Sequence, residues 1–314
     1  MEDTVNKSVF DNFCNLLGTY EEHKLYTYKV IDLLKNDYTF RDFGSSDRRY
    51  FDMLNCGTSL HFKNSQGVWH LVGANFCRQR ICPMCQYRKS IKTFVQMSKV
   101  VDFLKDDYRF LHLVLTVPNV TYGDELMCTI KELYKGYNKM MNYKKCKAVV
   151  KGAMRCLEIS YNYDNDTFHP HLHCLLAVNP SYFNDGKNYI KYDKWRELWS
   201  KAMCSDVLLQ VSIRAIKDGD YKGVAEVCKY CVKPLNLDNG NNMQNSRVLL
   251  TLWHTLKGVR FVQRYGCIKN AYKLLNLEKD DNIDFEGCID DEEDKSAIYH
   301  FEWNATQGKY NKVG

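Results

Sequence analysis

Proline and glycine are scarce in this chain, 5 and 17 among 314 residues. That scarcity excludes collagen-like and low-complexity sequence. No run approaches the roughly 18 apolar residues of a membrane span. The first residues, Met1-Glu2-Asp3, are acidic where a secretory leader is basic and then apolar. These absences predict a soluble, globular, cytoplasmic chain with no membrane partner. With 45% hydrophobic residues, it can fill one large core or two modest ones.

Aromatic residues and positive charge are plentiful. There are 22 Tyr and 15 Phe, and the net charge of +6 is unevenly spread. Residues 276–314 hold four basic and eleven acidic side chains, a net of −7, which leaves +13 on residues 1–275. A basic, aromatic-rich body suits a polyanion such as nucleic acid. A solvated lysine-rich surface would give the same count, so the chemistry has to come from motifs.

Fourteen cysteines in a chain without a leader point away from a disulfide scaffold. Ten are scattered as in ordinary core packing. Cys77, Cys82 and Cys85, in C-x4-C-x2-C spacing, are not. Zinc takes four tetrahedral thiolate or imidazole ligands, and a C-x2-C turn presents two at once. The fourth ligand is assigned to Cys56, which precedes Gly57, with His61 and His70 as alternatives. Arg78, Arg80, Arg88 and Lys89 flank the cluster. The expected role is a structural Zn²⁺, with Arg78 and Arg80 as candidate DNA contacts.

The most specific signal is Phe168-His169-Pro170-His171-Leu172-His173. On a strand, residues two apart share a face, so His171 and His173 point together and can hold one divalent cation. A turn over residues 164–167 pairs Tyr163 with Phe168 and sets Glu158 opposite His173, completing a His-His-carboxylate set. His169, of the same parity, and His112, on an earlier strand, are rival ligands.

Residues 220–233 carry a third pattern. At 100° per residue, Val224, Ala225, Val227, Cys228, Cys231 and Val232 line one side of a helix, and Lys222, Glu226, Lys229 and Lys233 the other. Tyr230 lies at the edge, one turn after Glu226. A phenol becomes a nucleophile only where cations favour its phenolate, which a neighbouring metal and lysines would do.

Periodicity predicts strands within 51–76 and over 110–117, 153–163 and 168–178. It predicts helices over 87–104, 124–142, 192–203 and 220–233. The order indicates an α+β fold on an antiparallel sheet. Residues 1–45 have roughly helical spacing without recognisable chemistry, and 278–294 read as a mobile acidic appendage.

In this order the elements resemble an HUH-type rolling-circle replication initiator (Rep) of small bacterial plasmids. The resemblance spans about residues 51–270. It adds Leu115-Thr116-Val117-Pro118-Asn119 and Leu256-Lys-Gly-Val-Arg260 with Gly266 to the motifs above. It implies a zinc-binding module over 46–92 and an HUH nicking domain over 93–275; outside it lie an N-terminal extension of unknown function over 1–45 and the acidic tail over 276–314. It further implies that His171 and His173 bind Mg²⁺ or Mn²⁺, with Glu158 as third ligand. Tyr230 would attack a phosphate of single-stranded or hairpin origin DNA and form a 5′-phosphotyrosine, with Lys229 and Lys233 contacting the strand. Glu226 would activate water at termination. Sequence recognition is sought at Arg78 and Arg80 and in the segment with Arg260 and Arg264. Host helicase and polymerase would be partners, and self-association is left open. Competing readings are an HUH transposase or relaxase and a non-enzymatic zinc-dependent DNA-binding regulator.

Overall fold

A computed structural model describes residues 2–35, 48–65, 68–184, 186, 188–217, 219–228, 241–277 and 297–313. In chain order the elements are α1 (Glu2–Lys35), α2 (Arg48–Asn55), β1 (Ser59–Ser65), β2 (Val68–Ala74), α3 (Pro83–Leu104) and β3 (Arg109–Thr116). There follow α4 (Asp124–Asn142), α5 (Lys144–Val149), β4 (Val150–Asn162), β5 (Thr167–Val178), α6 (Tyr192–Ala202) and β6 (Val211–Ile216). The last are α7 (Tyr221–Val227), α8 (Asn242–Thr255), β7 (Val262–Tyr265), α9 (Gly266–Leu274), β8 (Ile298–Asn304) and β9 (Lys309–Val313). The chain divides into two compact units: Met1–Arg88 with Asn241–Leu250 and Lys279–Gly314, and Lys89–Gly240 with Thr251–Glu278. The fold is mixed α+β, as expected, but neither unit is contiguous in sequence.

The first unit is built on a four-stranded sheet of order β2-β1-β8-β9. Its inner face is apolar: Leu60 pairs with Phe301 across β1 and β8, and Phe62 packs edge-on against Tyr20 of α1. Tyr20, Lys24, Thr27, Ile31 and Leu34 form the buried stripe of α1, at the three- and four-residue spacing of a helix face. The helical spacing of residues 1–45 thus becomes one long helix over its described part. The C-terminal hairpin is an unforeseen member of this unit. Tyr310 accepts no solvent role there; its hydroxyl donates to the Gly57 carbonyl and its backbone N–H to Glu21 Oε1. The acidic stretch 278–294 lies outside the described residues.

The second unit carries a five-stranded antiparallel sheet of order β6-β3-β5-β4-β7. Alternation gives it two distinct faces. One face presents Phe110, Met154, Cys156, Leu175, Ala177 and Ile216 to Met97, Val100 and Leu104 of α3, Val224 and Val227 of α7, and Ile268, Ala271 and Tyr272 of α9. Leu113, Leu115, Leu157, Leu172 and Leu176, also buried, take the opposite parity toward α4 and α6. There Trp199 Nε1 donates to the Thr116 carbonyl at 2.7 Å.

Two glycines let β7 and α9 approach β4. Gly266 has φ +60°, and a Cβ on it would run into the Lys151 carbonyl; one on Gly152 would lie 2.7 Å from the Cys267 nitrogen. Only glycine permits this backbone contact.

The β4–β5 hairpin differs from its predicted register by two residues. Tyr161, not Tyr163, faces Phe168, and Asn162 faces Thr167. The cause is local. Asn162 Oδ1 accepts from the N–H groups of Asp164 and Asn165, so the turn starts earlier, at residue 163. It ends at Asp166, in the left-handed region at φ +54°, whose carboxylate accepts from the Tyr122 and Tyr161 hydroxyls. A shift of two preserves parity. Glu158 therefore stays on the histidine face, opposite His171, and Cys156 lies opposite His173.

Candidate metal centres

Among the described residues, two groups could hold a metal ion: Cys56, Cys77, Cys82 and Cys85 in the first unit, and Glu158, His171 and His173 in the second.

The loop after β2 folds back so that the four sulfurs converge. Cys56 Sγ lies 3.5 Å from Cys85 Sγ and 3.6 Å from Cys82 Sγ, and Cys77 Sγ lies 3.6 Å from Cys85 Sγ. A tetrahedron with 2.3 Å metal–sulfur bonds has edges of about 3.8 Å, whereas a disulfide would bring two sulfurs to about 2.05 Å. All four cysteines are free thiols. Backbone donors already face the sulfurs: the Cys77 N–H points to Cys56 Sγ at 3.3 Å and the Arg78 N–H to Cys85 Sγ at 3.1 Å. Arg78 adopts φ +59° to do so. Its side chain is exposed, and that of Arg80 is half-buried. Burial opposes ionisation of Cys82, but hydrogen bonds from the Cys56, Cys77 and Cys85 thiols lower its pKa; the same contacts raise those of Cys77 and Cys85. Four close sulfurs cannot all ionise without a cation among them, so the donor set fits a tetrahedral thiolate-binding metal.

Sequence reasoning missed Lys24. It is fully buried, and its ammonium donates to the Cys56 carbonyl at 2.6 Å and the Leu54 carbonyl at 3.1 Å. Burial lowers its pKa while the Cys56, Cys82 and Cys77 sulfurs push it back up. The available signal was a lysine within the apolar stripe of α1.

In the second unit, Glu158 Oε2 lies 2.9 Å from His173 Nε2 and 3.7 Å from His171 Nε2. Burial raises the pKa of Glu158, but the neighbouring His171 and His173 imidazoles outweigh it and hold the carboxyl well below the usual carboxylate range. His171 Nδ1 donates to the His169 carbonyl at 3.1 Å, which leaves its Nε2 lone pair for a cation. Two imidazoles and a carboxylate with open positions suit a hexacoordinate divalent ion better than a closed thiolate shell does.

The rival histidines stay out of this group. His169 sits beside His171, ring centroids 5.1 Å apart, and its buried Nε2 meets no partner among the described residues. His112 lies behind the site, its Nε2 3.0 Å from His173 Nδ1.

Helix α7 covers the same face of the sheet. Asp220 caps its start by accepting from the Gly223 N–H, and its end is fixed where Ser90 Oγ donates to the Cys228 carbonyl at 2.9 Å. Val224, Val227 and Cys228 are buried, Lys222 is exposed and Glu226 is half-buried, as the helical pattern predicts. Tyr230, Lys229 and Lys233 fall in residues 229–240, outside the described residues.

The second unit thus carries a His-His-carboxylate cluster on one face of its antiparallel sheet, and the first unit holds four converging thiols. Comparison with known proteins gives the class, that of plasmid replication initiators. The family model for replication proteins matches residues 68–311, and the chain belongs to that family of rolling-circle replication initiators. A protein rep of Streptococcus pneumoniae serotype 2 is 33% identical over 301 residues, covering 91% of this chain and 89% of its own length. One from Bacillus sp is 36% identical over 248 residues, 72% of this chain and 80% of its own. One from Bacillus amyloliquefaciens is 34% identical over 270 residues, 79% of this chain and 78% of its own. No solved structure matches. Among the described residues no helix is long and apolar enough to cross a membrane.

Proposed function

We propose that this initiator is a site-specific, metal-dependent origin nickase and strand transferase. The observation that carries the reading is the Glu158–His171–His173 cluster on the sheet face covered by α7, a helix that ends three residues before Tyr230 in sequence. A Mg²⁺ or Mn²⁺ ion held by these three side chains would polarise one phosphodiester of single-stranded or hairpin-extruded origin DNA. The Tyr230 hydroxyl attacks that phosphorus. The bond to the 3′-oxygen breaks, the tyrosine proton passes to solvent, and the 5′-phosphate stays on Tyr230. The freed 3′-OH primes synthesis by the host polymerase behind a host helicase. Because the phosphodiester is conserved in the adduct, a 3′-OH can reverse the step and join strands. Glu226 serves as general base for water at termination. Lys229 and Lys233 contact the strand, and the four cysteines hold a structural Zn²⁺ that orders Arg78 and Arg80 for DNA.

The test is adduct formation on single-stranded oligonucleotides from the chain's own origin, with and without Mn²⁺, read on a denaturing gel. A Mn²⁺-dependent shifted band, absent from Tyr230→Phe and from the double His171→Ala/His173→Ala variant, is expected. Adducts that persist in Tyr230→Phe would displace the nucleophile. Tight binding with neither adduct nor cut would favour a regulator.

A further inference from the structure

The second half of α4 and the whole of α5 are strongly basic. Residues 131–151 hold seven lysines and one acidic side chain, Glu132. On α4, Leu126, Ile130, Leu133, Tyr137 and Met140 are buried, which leaves Lys131, Lys135 and Lys139 one turn apart on the solvent side. Lys144 and Lys147 of α5 and Lys201 at the end of α6 are exposed as well. The three helices meet here. A Cβ on Gly136 of α4 would run into Met203 Sδ just past α6, Lys139 Nζ lies 3.2 Å from Cys204 Sγ, and Lys201 Nζ lies 5.7 Å from the ring centre of Tyr143. Six lysines therefore share one face.

No internal charge balances them. Among the described residues Lys131, Lys135, Lys144, Lys147 and Lys201 form no ion pair, and Glu132 pairs with none of them. A cation in the last turn of α4 complements the helix dipole, which accounts for Lys139 but not for the rest.

This face lies across the sheet from the candidate cation site. Arg155, three residues before Glu158 on β4, points the other way and stacks its guanidinium on Tyr134 of α4, 3.7 Å from the ring centre. DNA lying on the lysines is therefore separated from Glu158, His171 and His173 by the sheet and a helix.

The arrangement fits a duplex better than a single strand. Lys131 to Lys139 spans about 12 Å of helix axis, over which duplex DNA presents about seven phosphate charges. The lysines of α5 and α6 widen that row into a surface, as two phosphate strands require. Single strands are held largely by bases stacked on aromatic rings. Here Tyr137 is buried, Tyr134 is covered by Arg155, and Tyr143 lies under Lys201. Lysine is a flexible point charge, so its contacts position DNA without reading it.

We propose that the lysine face of α4, α5 and α6 anchors duplex DNA beside the origin, through its phosphates and without sequence preference, on the side of the sheet away from the nicking site. The proposal rests on the reading of this chain as an origin nickase. The origin strand then leaves the duplex and passes around the sheet to reach the cation site. The anchor serves a duplex origin and is not needed by a free single strand.

The experiment compares the full chain with Lys131→Gln/Lys135→Gln/Lys144→Gln/Lys147→Gln. A control, Lys99→Gln/Lys217→Gln/Lys269→Gln/Lys273→Gln, removes the same charge from exposed positions on other elements. Folding is read by thermal melts, duplex affinity by anisotropy of a labelled duplex of scrambled sequence over a salt series, and chemistry by Mn²⁺-dependent adducts on single-stranded origin oligonucleotides. The first variant is expected to bind the duplex about 10-fold or more weakly, with a salt slope shallower by about three, and to form single-strand adducts as the parent does. Parental duplex affinity and slope in the folded variant overturn the anchor. An equal loss in the control assigns the effect to total charge and overturns it too. Loss of single-strand adducts in step with duplex affinity overturns the choice of duplex. If the parent itself forms no adduct, the nickase reading fails, while the duplex measurements still decide whether this face binds DNA.

Discussion

Glu158 shows how a single side chain can be held against its surroundings. Burial alone would favour the neutral acid, and the two imidazoles reverse that. Because its folded pKa lies below the unfolded value, ionised Glu158 stabilises the fold above an ordinary carboxylate pKa of about 4.3, and the contribution fades as pH falls below it. Glu158→Gln should therefore be less stable than the parent at pH 7, with the gap beginning to narrow below about pH 4 and remaining open at pH 3 in urea unfolding. A gap that stays constant with pH would mean that the carboxylate is not the stabilising species. The same variant should lose Mn²⁺ affinity roughly 10-fold or more. At this scale the site was largely legible: strand parity identifies His171, His173 and Glu158, and cysteine spacing identifies Cys77, Cys82 and Cys85. His112 reads as a rival ligand because its parity and type are right; that it lies behind His173 depends on the β3–β5 register, which no local pattern encodes. Lys24 escaped because a buried lysine in an amphipathic stripe looks like a break in the stripe rather than a partner for carbonyls thirty residues away.

At the scale of elements, long periodic stretches were readable and close backbone approaches were not. Helices α4 and α6 and strands β3, β4 and β5 occur where apolar spacing places them, whereas α2, α8, β7 and α9 are short or weakly patterned. The hairpin register failed by two residues because the turn is decided by the Asn162 side chain, not by the composition of the loop. The Glu158–His171–His173 cluster survives the error because parity, not register, chooses the face. Gly266 is the opposite case: one residue on which an element's position depends. Gly266→Ala should cost about 3 kcal/mol in chemical denaturation, since it adds left-handed strain to a clash with the Lys151 carbonyl. A loss below about 1 kcal/mol would show that β7 and α9 can move away from β4 without penalty.

At the scale of the whole chain, contiguity was the misleading assumption. Charge and motif order suggest segments laid end to end, but the first unit gathers residues from both ends of the chain and from α8. Nothing local in Leu60 announces Phe301 as its neighbour. If the four thiols hold a structural metal, its removal should be felt first in this unit. After 1,10-phenanthroline, limited proteolysis with mass mapping should show new cuts within residues 1–88 while the β3–β6 region stays protected. Equal protection of both regions would separate the thiol cluster from stability.

The C-terminal hairpin also carries a consequence for synthesis. Strand β8 fills the place beside β1 in the sheet, yet among the described residues β8 and β9 are the last to be made. The four clustered cysteines, the histidines and α7 all emerge earlier. A ribosome that stops short of β8 therefore releases a chain with both candidate metal-binding clusters in place and the backbone groups of β1 exposed along one side. Such a product would be a target for quality-control proteases, so the first unit's integrity reports that the chain has been made through β9.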